Sequence, residues 1–318
     1  MKTQIACIVA LASPALAAPV AFHDLVADKN PLLWYRFDEA SGASEAINYG
    51  SLGAGFNGVF FGPVFLGEAS LQGDTAACFE HPSQPYVESA SDVPASLTGN
   101  PTFTAEAVVR VFATPQNPFY APFLHWGAPR TGQSVYFSIL RNDESRPYAG
   151  FYNGGARSLE SYGLGEWVHL VWTRDSGGGV NDDVTGSRLF INGQEVDVER
   201  DFSLPGAGVP DVHASPFYVQ RATDLVRYFS GNIDEVVLYD RVLSADEVGE
   251  HYDALVDGAR CPADLDGDGQ LTVFDFLEFQ NAFDSGERRA DFNPTTCTSN
   301  LDIFDFLAFQ NAFDAGCP

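Results

Sequence analysis

The sequence predicts a mainly β protein, an antiparallel sandwich followed by a small α-helical C-terminal domain. Three observations carry this. Turn-forming and aromatic residues are abundant: 30 Gly, 19 Pro, 26 Phe and 12 Tyr stand beside a single Met in 318 residues. Short β-like runs alternate with turn signals from about Leu32 to Tyr239, the pattern of sandwiches and barrels. A phenylalanine-rich segment with helical spacing then occurs twice near the C-terminus, which marks an internal duplication. Hydrophobic residues make up 45% and charged residues 19%, enough apolar material for a large core and too little charge for a disordered chain.

The N-terminus reads as a processing segment. Lys2 gives a positive start, Ile5 to Leu11 a short apolar stretch, and Ala15-Leu16-Ala17 a small-x-small cleavage site. This predicts a secretory signal peptide over 1–17, cut before Ala18 and too short to span a bilayer. No later stretch is long and apolar enough to cross, so the chain is expected to be secreted, extracellular or at the cell surface, without a membrane span. The net charge is −26, from 17 Lys+Arg against 43 Asp+Glu. So acidic a chain is a poor partner for nucleic acid or anionic lipid. Cys7 leaves with the signal. Of Cys78, Cys261, Cys297 and Cys317, three lie from 261 onward, which suggests a disulfide in the C-terminal module.

Along the chain, Trp34–Phe37 reads as a strand before the turn Asp38–Gly42. In the run Phe103–Val111, alternation places Phe103, Ala105, Ala107, Val109 and Val111 on one face. Tyr136–Leu140 and the mostly apolar Trp167–Thr173 are further strands, the latter central. Arg188–Val196 reads as a hairpin around Asn192-Gly193, and Ile233–Tyr239 as the last strand. A helix follows. Ser244 with Glu247 forms a capping box, and Val248, Tyr252 and Leu255 share a face.

Taken in order, Trp34–Glu39, Asn57-Gly58-Val59, Phe103–Val111, Gly165–Val171, Leu189–Val196 and Gly231–Ser244 resemble the laminin-G-like, concanavalin A-like jelly-roll family over roughly 27–256. The resemblance implies two curved antiparallel sheets packed face to face. It leaves function open, because the fold hosts lectin-like, protein-binding and hydrolytic members. It also implies a structural ion between an N-terminal acidic turn and the last strand. The matching residues are Asp38 or Glu39 with Asp234. The alternative is that Asp234 only hydrogen-bonds a turn.

The C-terminal region, 261–318, carries the most specific chemistry. Phe274–Gly286 recurs as Phe304–Gly316, differing only at Glu278/Ala308 and Ser285/Ala315. Ahead of the first copy stands Asp264-Leu265-Asp266-Gly267-Asp268-Gly269-Gln270-Leu271-Thr272-Val273-Phe274-Asp275. Calcium requires six or more oxygens. Asp264, Asp266 and Asp268 alternate so that their carboxylates converge, and Gly269 permits the sharp turn. Gln270 offers a backbone carbonyl, Thr272 a hydroxyl or a water, and Asp275 closes the loop. The closing Asp, the single following helix and the tandem copy resemble a dockerin, a calcium-binding module built on EF-hand loops. In the second copy Asp291, Asn293 and Asp305 match, but Pro294–Ser299 is too long and lacks the third carboxylate. This site either binds calcium weakly or is a calcium-free turn. The dockerin resemblance implies a Cys261–Cys317 bridge, a cohesin-like or envelope receptor, and docking through Val273, Phe274, Ile303 and Phe304. Cys78 and Cys297 either pair across domains or stay as thiols.

No catalytic residues are assigned. The paired carboxylates of a sandwich glycan hydrolase are absent, and alternation would send the adjacent Asp234 and Glu235 to opposite faces. The six histidines read as structural or surface residues. The aromatics at Phe119-Tyr120, His125-Trp126, Tyr148 and Phe151-Tyr152 are either a sugar-stacking rim or, more simply, core and turn packing. The expected function is a secreted, non-catalytic binding protein with a glycan or protein ligand on its sandwich. The alternative is an extracellular polysaccharide hydrolase or lyase on the same fold.

Overall fold

The computed structural model describes residues 21–72, 74–80, 83–113, 120–140, 145–177, 186–202, 209–222, 230–257, 261–294, 296–298 and 300–316. The expected signal peptide lies outside the described residues. In chain order the strands are β1 (Leu33–Tyr35), β2 (Glu45–Ala46), β3 (Gly58–Phe61), β4 (Phe65–Ala69), β5 (Thr75–Phe79), β6 (Tyr86–Asp92), β7 (Phe103–Ala113), β8 (Tyr120–Gly127), β9 (Ser134–Leu140), β10 (Pro147–Phe151), β11 (Gly154–Ser158), β12 (Trp167–Arg174), β13 (Ser187–Ile191), β14 (Gln194–Val196), β15 (Val198–Phe202), β16 (Pro216–Val219) and β17 (Ser230–Tyr239). The helices are α1 (Phe22–Asp28), α2 (Ala245–Asp257), α3 (Val273–Ser285) and α4 (Ile303–Ala315).

The strands form two sheets. One runs β14-β13-β12-β7-β17-β5-β4, with β1 also on β17; the other runs β15-β11-β10-β9-β8-β16-β6-β3-β2. Neighbours pair antiparallel, for example β7 with β12 and β17, and β8 with β9. The molecule is thus the mainly β antiparallel sandwich that the sequence predicts.

Strand β7 shows why the sheets pack. Phe103, Ala105, Ala107, Val109 and Val111 enter the core between the sheets, as alternation predicts, while Val108 turns to the outer face. Strand β12 repeats the pattern, with Val168, Leu170 and Trp172 inward and Val171 outward. Trp172 packs against Phe103, Phe137 and Phe151. A large side chain buried so completely contributes about 3–5 kcal/mol relative to alanine.

Helices α1 and α2 cover the outer face of the first sheet. Phe22 and Val26 from α1 join Val248, Ala254 and Leu255 from α2 over Trp34, Val108, Val171, Phe190 and Val237. The predicted capping box starts α2: the Glu247 amide donates to Ser244 Oγ (3.2 Å) and the Ser244 amide to Glu247 Oε2 (2.9 Å). The predicted hairpin forms β13 and β14 in the register Ile191↔Gln194. Asn192 and Gly193 take φ of 51° and 75°, the left-handed pair of a type I′ turn. A Cβ on Gly193 would also meet Tyr252 Cβ at 2.8 Å, so this turn fits under α2 only as glycine.

One expectation is corrected. Asp234 and Glu235 do not point to opposite faces. The register of β17 against β7 shifts between Asp234 and Val237, and Glu235 takes φ of 50°. Ile233 and Val236 both enter the inner core while Val237 faces outward. A bulge, one extra residue, therefore leaves both acids on the outward side, and both are buried.

At the C-terminus α3 and α4 start with matching caps. Thr272 caps α3 and Asp302 caps α4, with Asp275 and Asp305 completing a capping box in each. The helices share a small core in which Phe279 and Phe309 stack at 4.3 Å, enclosed by Ala263, Ala282, Ala290 and Phe292. This region is joined covalently to the sandwich by a Cys78–Cys297 disulfide from β5, with Cα atoms 5.6 Å apart, which is the cross-domain alternative for these two cysteines. Arg288 pairs with Glu68 of β4 beside it. Cys261 is itself disulfide-bonded; its expected partner, Cys317, lies outside the described residues. Among the described residues no helix is long and apolar enough to cross a membrane.

Candidate functional site

The loop before α3 draws three carboxylates together. One oxygen from each of Asp264, Asp266 and Asp268 lies within 4.8 Å of the others. Two glycines permit the tight path, Gly267 and Gly269 having φ of 74° and 80°, a region that other residues avoid. The aspartates then hold the backbone. Asp264 Oδ1 accepts from the Gly267 and Asp268 amides (2.9 and 3.1 Å), and its Oδ2 from Gly269 (2.9 Å). Asp266 Oδ1 accepts from Asp268, and Asp268 Oδ1 from Gln270 (2.8 Å). Asp275, buried at the start of α3, accepts from the Thr272 and Asp266 amides (2.7 and 3.3 Å) and so ties both ends of the loop. Burial pushes the Asp275 carboxyl up, but these amides outweigh it and hold it below its ordinary value. Asp266 is pushed upward, by desolvation first and then by Asp268, Asp275 and Asp264. The Thr272 hydroxyl accepts from the Phe274 amide (3.1 Å) as the helix cap. The donors are all oxygen and all acidic or polar, a set that suits a hard cation such as calcium.

The second copy keeps the anchor, and among its described residues no third acid joins Asp291 and Asp305. Asp305 accepts from the Asn293 and Asp302 amides (both 2.8 Å), as Asp275 does in the first copy. Asp291 stands beside Asp305. Burial, and then that neighbouring carboxylate, push it up to about 7. The residues expected to meet a partner lie on the surface: Val273, Phe274, Ile303 and Phe304 are 64, 62, 60 and 59% exposed. Beside them an apolar cleft of about 380 Å³ opens between α3 and α4, lined by Phe276, Phe279, Gln280, Phe283, Ile303 and Phe306.

On the sandwich, Asp38 pairs with Arg36 (2.8 Å), and Glu39 accepts from the Ile47 amide (2.7 Å). Asp234 accepts from the Glu235 amide (2.9 Å). Burial, and then Glu235, Asp74 and Asp38, hold its carboxyl well above the ordinary value. The group that does converge within 4.8 Å here is His23, Asp74 and Glu235, which the sequence reading did not bring together. A second unforeseen group is sealed beneath α2. Glu106 accepts from His169 (2.7 Å) and meets His251 (3.0 Å), all three buried. The available signal was a titratable residue at an outward position within each apolar run, Glu106 in β7 and His169 in β12. Of the aromatics considered as a rim, Trp126 and Phe151 sit in the inner core, and Tyr148 is buried with Tyr136 and Ala222; packing explains these. Phe119 lies outside the described residues.

A family model, Laminin_G_3, described as the concanavalin A-like lectin/glucanases superfamily, matches residues 82–249, more than half of the chain. The chain belongs to this superfamily. No curated protein matches it. Solved structures similar to this laminin-G-like chain include domain 4 of AbnA, a GH43 extracellular arabinanase from Geobacillus stearothermophilus, in complex with arabinotriose. That match has 16% identity and a TM-score of 0.48, over 70% of this chain and 98% of that one. Trypanosoma rangeli sialidase in complex with the inhibitor DANA matches at 16% identity and a TM-score of 0.45, over 70% of this chain and 32% of the sialidase. The binding domain of botulinum neurotoxin serotype G matches at 14% and 0.42, over 71% of this chain and 51% of that one. The laminin-G-like chain therefore spans about a third of the sialidase and half of the neurotoxin domain.

Proposed function

We propose that this chain is an exported, non-catalytic recognition protein. Its laminin-G-like sandwich, over 27–256, carries the surface for a glycan or protein ligand. Its C-terminal helices, over 261–318, form a dockerin-like module that is organised by calcium and docks to a cohesin-like or envelope receptor. The observation that carries this reading is the pairing of two features in one small unit: three carboxylates converging in the Asp264–Asp275 loop, and exposed apolar side chains at the same place in both repeats. Asp264, Asp266, Asp268 and Asp275, with Gln270 and Thr272, would hold the ion. Its charge would offset the mutual repulsion of the acids and fix the loop that aims α3. Asp291, Asn293 and Asp305 offer a poorer second position, and Asp38, Glu39 and Asp234 are the candidates for a structural calcium in the sandwich.

The test is capture of envelope proteins from the source organism by the full chain, with calcium and with a chelator, run beside reducing-end release from a polysaccharide panel. Calcium-dependent capture without release is the expected result. Calcium-independent capture, or none, contradicts the docking role. Release of reducing ends would establish the hydrolase alternative instead.

A further inference from the structure

His23, Asp74 and Glu235 come from three distant segments: α1, the turn between β4 and β5, and the bulge of β17. His23 Nε2 lies 2.5 Å from Glu235 Oε1 and 3.4 Å from Asp74 Oδ2. Asp74 Oδ2 is buried without a hydrogen-bond partner, which is costly for a carboxylate oxygen. Glu235 is wholly buried, with the buried Asp234 beside it. The basic side chains at hand are His23 itself, which faces both carboxylates, and Arg36, which is already paired with Asp38. The three donors are also held from behind. Trp34 Nε1–H donates to Glu235 Oε2 (2.6 Å), and Ser70 Oγ meets Asp74 Oδ1. Such outer partners orient the ligands of metal sites. Access is preserved, since the His23 and Asp74 side chains keep 25% and 22% of their exposure.

We infer that His23, Asp74 and Glu235 form a site for a divalent transition-metal ion, zinc above all, that staples α1 to the bulged last strand. The chemistry of the donors selects the ion. An imidazole nitrogen with two carboxylates suits zinc, with a fourth position left to solvent. Calcium prefers an all-oxygen set, as in the Asp264–Asp275 loop. The ion would meet the need of Asp74 Oδ2 and neutralise the buried Glu235 together. This is a different set from Asp38, Glu39 and Asp234, and a different metal.

The test uses the full chain, stripped with a chelator and returned to saturating calcium so that oxygen sites are matched. Zinc is then titrated by calorimetry and the bound metal counted by mass spectrometry. One zinc per chain and a higher melting temperature are expected. His23→Gln should weaken zinc by more than about 100-fold, beyond the 10–100-fold that loss of an outer partner brings. Asp74→Asn provides the same reading should His23→Gln fail to fold. Asp268→Ala, in the C-terminal loop, should leave zinc binding unchanged. No bound zinc in the wild type, equal affinity in the folded His23 or Asp74 variant, or loss of zinc in Asp268→Ala would overturn the site.

Discussion

Glu106 is a wholly buried carboxylate held between two imidazoles, those of His169 and His251. Burial alone would raise its pKa, but His251 and His169 reverse this and hold it at about 2. His251 is held above its ordinary value, because Glu106 outweighs the desolvation that would lower it. The signs fix a pH window. The Glu106 contribution is complete above about 4.5 and fades as pH falls towards 2; that of His251 is complete below about 6.5 and fades as pH rises through its raised value. The junction between α2 and the sheet should therefore be tightest between about pH 4.5 and 6.5. Glu106→Gln should cost about 3–5 kcal/mol, as expected on removing one partner of a buried pair, and should flatten the pH dependence. Urea unfolding across pH 4 to 8 checks both; an unchanged profile would contradict the assignment. At this scale legibility depended on distance along the chain. The Asp264–Asp275 loop was readable because its groups lie within one short segment. Glu106 meets partners 63 and 145 residues away, and nothing local marks that meeting.

Elements were readable where a local rule decides them. The β13–β14 hairpin followed from Asn192-Gly193, and α2 from Ser244 and Glu247. The bulge in β17 was not readable, because Asp234 and Glu235 continue an ordinary strand pattern and only packing reveals the extra residue. Helices α3 and α4 present the same exposed pair at their starts, Val273-Phe274 and Ile303-Phe304. Neither Phe274 nor Phe304 belongs to the shared Phe279–Phe309 core. If these faces dock the proposed receptor, Phe274→Ala with Phe304→Ala should abolish capture while helix content and calcium response survive. Each single variant should retain capture, because the second copy substitutes. A surface-binding assay distinguishes the cases, and undiminished capture by the double variant would move the docking face elsewhere.

At the scale of the molecule, the Cys78–Cys297 bond decides how the tail is carried. It links residues 219 apart in sequence, so in a chain-entropy account it removes about 5 kcal/mol worth of unfolded-state freedom. Arg288 and Glu68 add an ion pair beside it. The C-terminal helices are thus fixed against β4 and β5 rather than hung on a free linker. Both cysteines were visible in the sequence, but their pairing depended on which edge of the sandwich the tail meets. Cys78→Ser with Cys297→Ser should lower stability by roughly 2–5 kcal/mol and enlarge the radius of gyration in solution scattering. An unchanged radius would mean that non-covalent contacts alone hold the tail.

The most direct test of the account as a whole is amide hydrogen exchange of the full chain after chelation and again after calcium is restored. Calcium-organised folding of the tail predicts a large gain of protection over the Asp264–Asp275 loop and α3, a smaller gain over α4, and no gain over α3 in Asp268→Ala. Equal protection of α3 with and without calcium in the wild-type chain would contradict it.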